Sequence, residues 1–276
     1  MSRRNTGRTG AKTATSTPAT APALDPLHFV APTEFVELPS KGKCYPEGHA
    51  LFEKDVIEIR FMTAKDEDIL TSTTLLKKGV AIDRFLQNII VDNNVKINDL
   101  LIGDKNAILI AARASGYGNL YETQINCPAC GTKNFLTFDL KEADISESME
   151  DAELGITSTN QGTFMINMPY TKFSVEIRLL TGEDETYLAQ SAASKKKNKI
   201  QETVMTDQYK RMVISVNGHK DKNVLDRYID NMPLMDARHL RLAYKLVSPN
   251  VEIKKDFNCN SCDHQQEVDV PFGTDF

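Results

Sequence analysis

Tryptophan is absent from the 276 residues, and histidine and cysteine occur only five times each. The histidines, His28, His49, His219, His239 and His264, are scattered and never fall at the spacing by which one helix offers two imidazoles to a metal. No P-loop, dinucleotide fingerprint or nucleophile elbow occurs. Neither a catalytic residue nor a small-molecule substrate is therefore expected. No apolar run approaches the roughly 18 residues of a membrane span. Arg3 and Arg4 have no apolar stretch behind them of the kind an export signal needs. Surplus positive charge is missing too. A net charge of −5 and a pI near 5.6 argue against a chain built mainly to grip nucleic acid.

What is present begins with a tail. Residues 1–24 are Thr, Ala, Ser, Pro and Gly with almost nothing to bury, a composition that cannot offset the entropy of ordering. Residues 1–28 are expected to be disordered, with folded sequence starting near Phe29. The tail is basic: Arg3, Arg4, Arg8 and Lys12 against Asp25 give residues 1–30 a net +3, leaving −5 − 3 = −8 for the rest.

Beyond the tail the chain repeats itself. Residues 57–70 read IEIRFMTAKDEDIL and residues 175–188 read VEIRLLTGEDETYL. Seven of the fourteen positions are identical, where ordinary residue usage would supply roughly one. In the first copy Ile57 and Ile59 alternate with Glu58 and Arg60, the pattern of a strand with one buried face. Thr63 then stands where a helix N-cap belongs, and Asp66, three residues on, can bond back to it. Thr181 and Asp184 take the same parts in the second copy. The acidic clusters KDEDIL and GEDETYL are thus explained as first-turn charges that complement the helix dipole, with no need of acid–base chemistry.

Helical spacing follows in both copies. Ile82, Phe85, Leu86, Ile89 and Ile90 form an apolar stripe, and a second helix is expected from Asp104 to a stop at Gly116 and Gly118. IQETVMTDQYKRMVISV (200–216) and MDARHLRLAYKLV (235–247) are expected to be their counterparts. The offset between copies grows from 118 (175 − 57) to 132 (259 − 127), so about fourteen residues are inserted in the second. The lysine-rich 194–199 is expected to belong to that insertion, as a solvated loop.

Each copy ends in strand-flanked cysteines: Cys127 and Cys130 in CPAC, Cys259 and Cys262 in CNSC. Two C-x-x-C turns supply the four soft ligands of a structural zinc ion, and four cysteines leave no open position for catalysis. In a reducing compartment paired cysteines point to metal more than to disulfides. The gap of 259 − 130 − 1 = 128 residues far exceeds the compact ribbon pattern, and duplication explains it, each copy providing half of the site. Cys44 has no such partner and is read as a lone thiol, and His264 as a strand residue facing solvent.

The turn LPSKGKCYP (38–46), the strand leading into MTAKDEDIL, and IGDKNAILIAARASGYGNLYE (102–122) running into the first cysteine pair together resemble the baseplate hub proteins of T-even-type contractile-tailed phages. The likeness covers the chain from about residue 30 to its end. It implies a non-enzymatic component of the hub or of its assembly. Its partners would be other hub and tail proteins, and its place the virion baseplate, assembled in the host cytoplasm.

The expected fold class is α+β: two similar strand–helix units, residues 29–142 and 143–276, joined by a four-cysteine zinc ribbon. A rival reading is a nucleic-acid-associated zinc-ribbon accessory protein, favoured by the basic tail and SKKKNK and opposed by the acidic body.

Overall fold

The computed structural model describes residues 32–159, 161–201 and 203–269. The expected disorder of residues 1–28 and the start near Phe29 lie outside the described residues. The first half runs β1 (Thr33–Glu37), β2 (Val56–Arg60), α1 (Ala64–Thr71), α2 (Thr73–Lys78), α3 (Ala81–Ile89), a 3-10 turn (Ile97–Asp99), α4 (Ile102–Tyr117), β3 (Leu120–Asn126) and β4 (Lys133–Asp139). The second runs β5 (Asp144–Ser146), β6 (Ile156–Ser158), β7 (Thr163–Asn167), β8 (Ser174–Arg178), α5 (Gly182–Lys197), α6 (Val204–Met212), β9 (Val213–Val216), α7 (Lys222–Asp230), α8 (Leu234–Val247), β10 (Asn250–Glu252), β11 (Lys254–Asn258) and β12 (Gln265–Asp269). Helix and sheet are mixed, as an α+β chain requires.

The two look-alike segments adopt the same local structure. β1 lies antiparallel on β2 from Thr33 opposite Arg60 to Glu37 opposite Val56. β7 lies on β8 in the matching register, Thr163 opposite Arg178 to Asn167 opposite Ser174. Each inner strand then ends at a capped helix. The Asp66 carboxylate accepts from the Thr63 N–H at 2.9 Å and hydroxyl at 2.7 Å, and takes both terminal nitrogens of Arg60 at 2.7 and 2.9 Å. Asp184 accepts from the Thr181 N–H at 3.1 Å and from Arg178 at 2.6 and 2.8 Å. A third partner sits at one matched position: Asn88 on Asp66, and Arg211 (88 + 123) on Asp184, each at 2.6 Å. Both carboxylates are fully buried. Burial alone would raise them, but these hydrogen bonds outweigh it and hold both below the usual carboxylate range.

A second matched pair of buried carboxylates anchors the loops before β2 and β8. Asp104 accepts from the N–H and hydroxyl of Ser40 and from the Tyr45 hydroxyl, at 3.0, 2.6 and 2.7 Å. Asp236 (104 + 132) accepts from the Tyr170 and Thr171 N–H groups and the Thr171 hydroxyl, at 2.8, 3.1 and 2.7 Å. Each stands in the first turn of its helix, α4 or α8, where the dipole also favours an anion. Burial nevertheless raises the Asp104 carboxyl, outweighing the hydrogen bonds from Ser40 and Tyr45 and the nearby His49.

Several local expectations need correction. VISV (213–216) is strand β9 rather than helix: its β-branched residues pair with β8 and complete an antiparallel sheet of order β6-β7-β8-β9. Where β9 would fall in the first half, Ile90 makes only a single bridge to Ile59. Gly116 does not stop α4. It lies inside the helix against Met62, and Gly118, with φ +91°, ends it. Residues 194–197 are helix rather than loop, since α5 runs on to Lys197 and Lys195 reaches Asp207 at 2.5 Å, and only Asn198 and Lys199 turn away. Offsets of 204 − 81 = 123 and 234 − 102 = 132 locate the added residues: five before α6, and nine between β9 and α8, where α7 stands in place of the 3-10 turn.

One apolar core serves both halves, with Ile59, Phe85, Leu86 and Ile108 from the first against Ile166, Ile177, Met212 and Leu240 from the second. At the seam, the Ile102 N–H donates to the Leu180 carbonyl and the Gly182 N–H to the Leu100 carbonyl, at 3.2 and 2.9 Å. Lys105, nearly buried, pairs with Asp83 and with Glu185 across that seam, both at 2.8 Å. Gly103 meets the Pro249 carbonyl so closely that a Cβ would stand 1.9 Å from its oxygen. β10 pairs antiparallel with β5, Asn250 opposite Ser146 to Glu252 opposite Asp144.

Candidate metal centre

Two antiparallel hairpins, β3–β4 and β11–β12, carry the cysteine pairs at their tips. Inward positions alternate along each strand as period-two pleating dictates. Leu136 and Phe257 pack against Cys127 and Cys259 to form a small apolar core, flanked by Ile125 and Val268. A second cluster, Tyr121, Phe138, Leu140 and Ile110 with Ile253 of the late segment, holds the hairpin bases together.

Each tip is a knuckle turn. The Gly131 N–H donates to the Cys127 carbonyl at 2.8 Å, and the Asp263 N–H to the Cys259 carbonyl at 3.2 Å. Gly131 and Asp263 (131 + 132) both take left-handed backbone, φ +72° and +53°, so the two turns share one shape although only the first uses glycine.

The turns bring all four sulfurs within 4.8 Å of one another. The two cross-hairpin distances given, Cys127 Sγ to Cys262 Sγ and Cys130 Sγ to Cys259 Sγ, are both 3.7 Å. A tetrahedral ion with bonds of about 2.3 Å to sulfur sets its ligands roughly 3.8 Å apart, so the spacing suits such an ion. The first cysteine of each pair is buried and the second exposed. The hydroxyl and backbone of Thr132 bring the Cys130 thiol down to about 6, and the Ser261 N–H, 3.4 Å from its sulfur, lowers Cys259. Both shifts favour the thiolate that a metal requires. Against a backbone bond at His264, the neighbouring sulfurs push Cys262 up to about 12, as expected of four crowded thiols sharing charge.

Asn134, on β4, went unread in the sequence and stitches the hairpins together. Its amide nitrogen donates to the Thr132 carbonyl at 2.9 Å and lies 3.7 Å from Cys259 Sγ, while its Oδ1 accepts from the Asn260 N–H at 3.0 Å. The signal was a polar residue in phase with inward-facing Leu136 and Phe138. His264 stands outside the sulfur cluster and bonds Gln266. Cys44 is a free thiol far along the chain from the pairs, and burial pushes it up to about 11. Among the described residues, no helix is long and apolar enough to cross a membrane.

The class these features define is an α+β protein carrying a four-cysteine cluster of metal-binding type. The family model described as T4 bacteriophage base plate protein matches residues 31–275, and the chain belongs to that family. The likeness first carried by the 38–46 turn is borne out. The family places the chain among virion tail components that contact other tail and baseplate proteins, a structural class. No curated protein and no solved structure gave a match.

Proposed function

We propose that the chain is a non-enzymatic structural or assembly component of the baseplate hub of a contractile-tailed phage. In this reading Cys127, Cys130, Cys259 and Cys262 hold one structural zinc ion that clamps two duplicated halves, 29–142 and 143–276. The carrying observation is that the 3.7 Å contacts Cys127–Cys262 and Cys130–Cys259 both join one half to the other. Bound there, zinc would supply a soft cation that closes a long loop of chain. The duplication draws support from the matched strand registers, the paired Asp66 and Asp184 clamps and the paired Asp104 and Asp236 anchors. Rigid surfaces presented to other hub proteins are then the working parts.

The test is to tag the chain in infected cells, measure its zinc, and ask whether hub proteins co-purify. Cys259→Ser should lose both the metal and the hub proteins. Metal-free wild-type protein that still co-purifies with the hub would overturn the clamp.

A further inference from the structure

We propose that the outer edge of β1 receives an extended strand of a partner protein, one that sets an aliphatic residue opposite Val36 and a basic residue opposite Glu34. The inference rests on the reading of this chain as a scaffold working through protein contacts, and it names one contact surface.

The second half shows the completed form of this sheet. There β6 lies outside β7: the Thr159 N–H donates to the Thr163 carbonyl at 2.8 Å, and the Asn167 N–H to the Gly155 carbonyl at 3.1 Å. In the first half, bonds from Phe61 N–H to the Pro32 carbonyl and from Leu38 N–H to the Asp55 carbonyl bracket the β1–β2 ladder. Antiparallel alternation then turns the backbone groups of Thr33, Phe35 and Glu37 outward. These are the matches of Thr163, Met165 and Asn167, offset by 130. Among the described residues no strand pairs there, and the β1–β2 sheet has two strands where its counterpart has four.

The turn that folds β6 onto β7 cannot be repeated. It passes through Gly162 at φ +72°, and the matching residue is Pro32, whose ring forbids positive φ.

The chemistry of the missing strand follows from its template. Ile156, 1% exposed, sits opposite Ile166, whose match is Val36, so an aliphatic residue belongs there. Ser158 sits opposite Phe164, whose match is Glu34. Among the described residues Glu34 Oε1 is buried with no hydrogen-bond partner, a costly state that a lysine or arginine would relieve. The outer face adds Phe35, 70% exposed, opposite Glu58, and Val56 opposite Glu37. Strand addition of this kind draws affinity from main-chain bonds and specificity from alternate side chains. A second copy fits less well: β1 on β1 about Phe35 would set a valine, not a cation, against Glu34.

The probe is acetyl-Thr-Ile-Thr-Lys-Thr-amide, titrated to millimolar concentration into isotope-labelled full-length protein in zinc-containing buffer. Exchange of the outward Phe35 and Glu37 amides should slow about tenfold on binding, with no such response to the peptide carrying Glu in place of Lys. Phe35→Pro deletes an outward N–H that the β2 ladder does not use, so it should keep the melting temperature and lose the response still readable at the Glu37 amide. Should that variant fail to fold, Glu34→Gln decides, since it should erase the preference for Lys over Glu. An equal response to both peptides, or none, overturns the proposal. So does a Phe35 amide already protected in the free monomer, which would mean that the chain covers its own edge. Protection that appears only with dimerisation assigns the edge to a second copy and also overturns it. A failed titration beside intact zinc and intact hub co-purification would remove this surface and leave the scaffold reading in place.

Discussion

Asp184→Asn removes one negative charge while keeping the side chain's shape, and the structure fixes what that should cost. The carboxylate takes Arg178 Nη1 and Nη2 at 2.6 and 2.8 Å and Arg211 Nε at 2.6 Å. A hydrogen bond to a charged group contributes about 1.5–3 kcal/mol, and an amide nitrogen turned toward a guanidinium contributes nothing. The arginine side chains remain 32% and 30% exposed, so solvent screening pulls the total toward its lower end. The expected loss is about 3 kcal/mol. For Asp66→Asn it is about 2 kcal/mol, because neutral Asn88 stands where Arg211 does. The pH dependence has a definite sign. A carboxyl held below its ordinary value stabilises the fold above about pH 4, and that contribution fades as pH falls through the folded-state value. Urea denaturation of wild type and variant should therefore differ in midpoint, at unchanged slope, at pH 7, and the difference should shrink as pH falls below about 4. A loss below about 0.5 kcal/mol at neutral pH, or an equal loss in acid, would refute the clamp as the source of stability.

Thr63→Ala should cost about 1 kcal/mol in thermal or urea unfolding, and Thr181→Ala less, because its hydroxyl stands 3.3 Å from the carboxylate rather than 2.7 Å. Gly103→Ala, which propensity alone would favour, should instead destabilise by about 2 kcal/mol or more, since the new methyl collides with the Pro249 carbonyl; differential scanning calorimetry reads the sign. Cys127→Ser and Cys259→Ser should each drop bound zinc from one ion per chain to a small fraction by atomic absorption. Amide exchange should then quicken in both hairpins, not only in the mutated one.

The cysteine pairs were legible because C-x-x-C is a local pattern, and the strand-to-helix units because Arg60, Thr63 and Asp66 recur intact as Arg178, Thr181 and Asp184. What escaped was polar chemistry between distant residues. Asp104 and Ser40 lie 64 positions apart, and neither carries a periodic signature that would link them. The correspondence of β1 with β7 escaped as well: TEFVELP and TFMINMP share little beyond Thr33 with Thr163 and Pro39 with Pro169. β9 was hidden because Met212 and Val213 continue the apolar spacing of α6, and only pairing with β8 decides where the helix ends. Asp263 masked the likeness of the knuckles by taking left-handed backbone without glycine.

The packed hairpins also set the route by which mechanical load crosses the molecule. With a metal holding the two tips together, tension entering at β1 and leaving at β12 would have a path from the first fingertip to the second that bypasses the covalent run through α5, α6, α7 and α8. Those helices would then hang within a closed circuit, with part of the pull diverted past them. A tail machine that contracts could thus strain this subunit end to end while half of its interior bears less of the load.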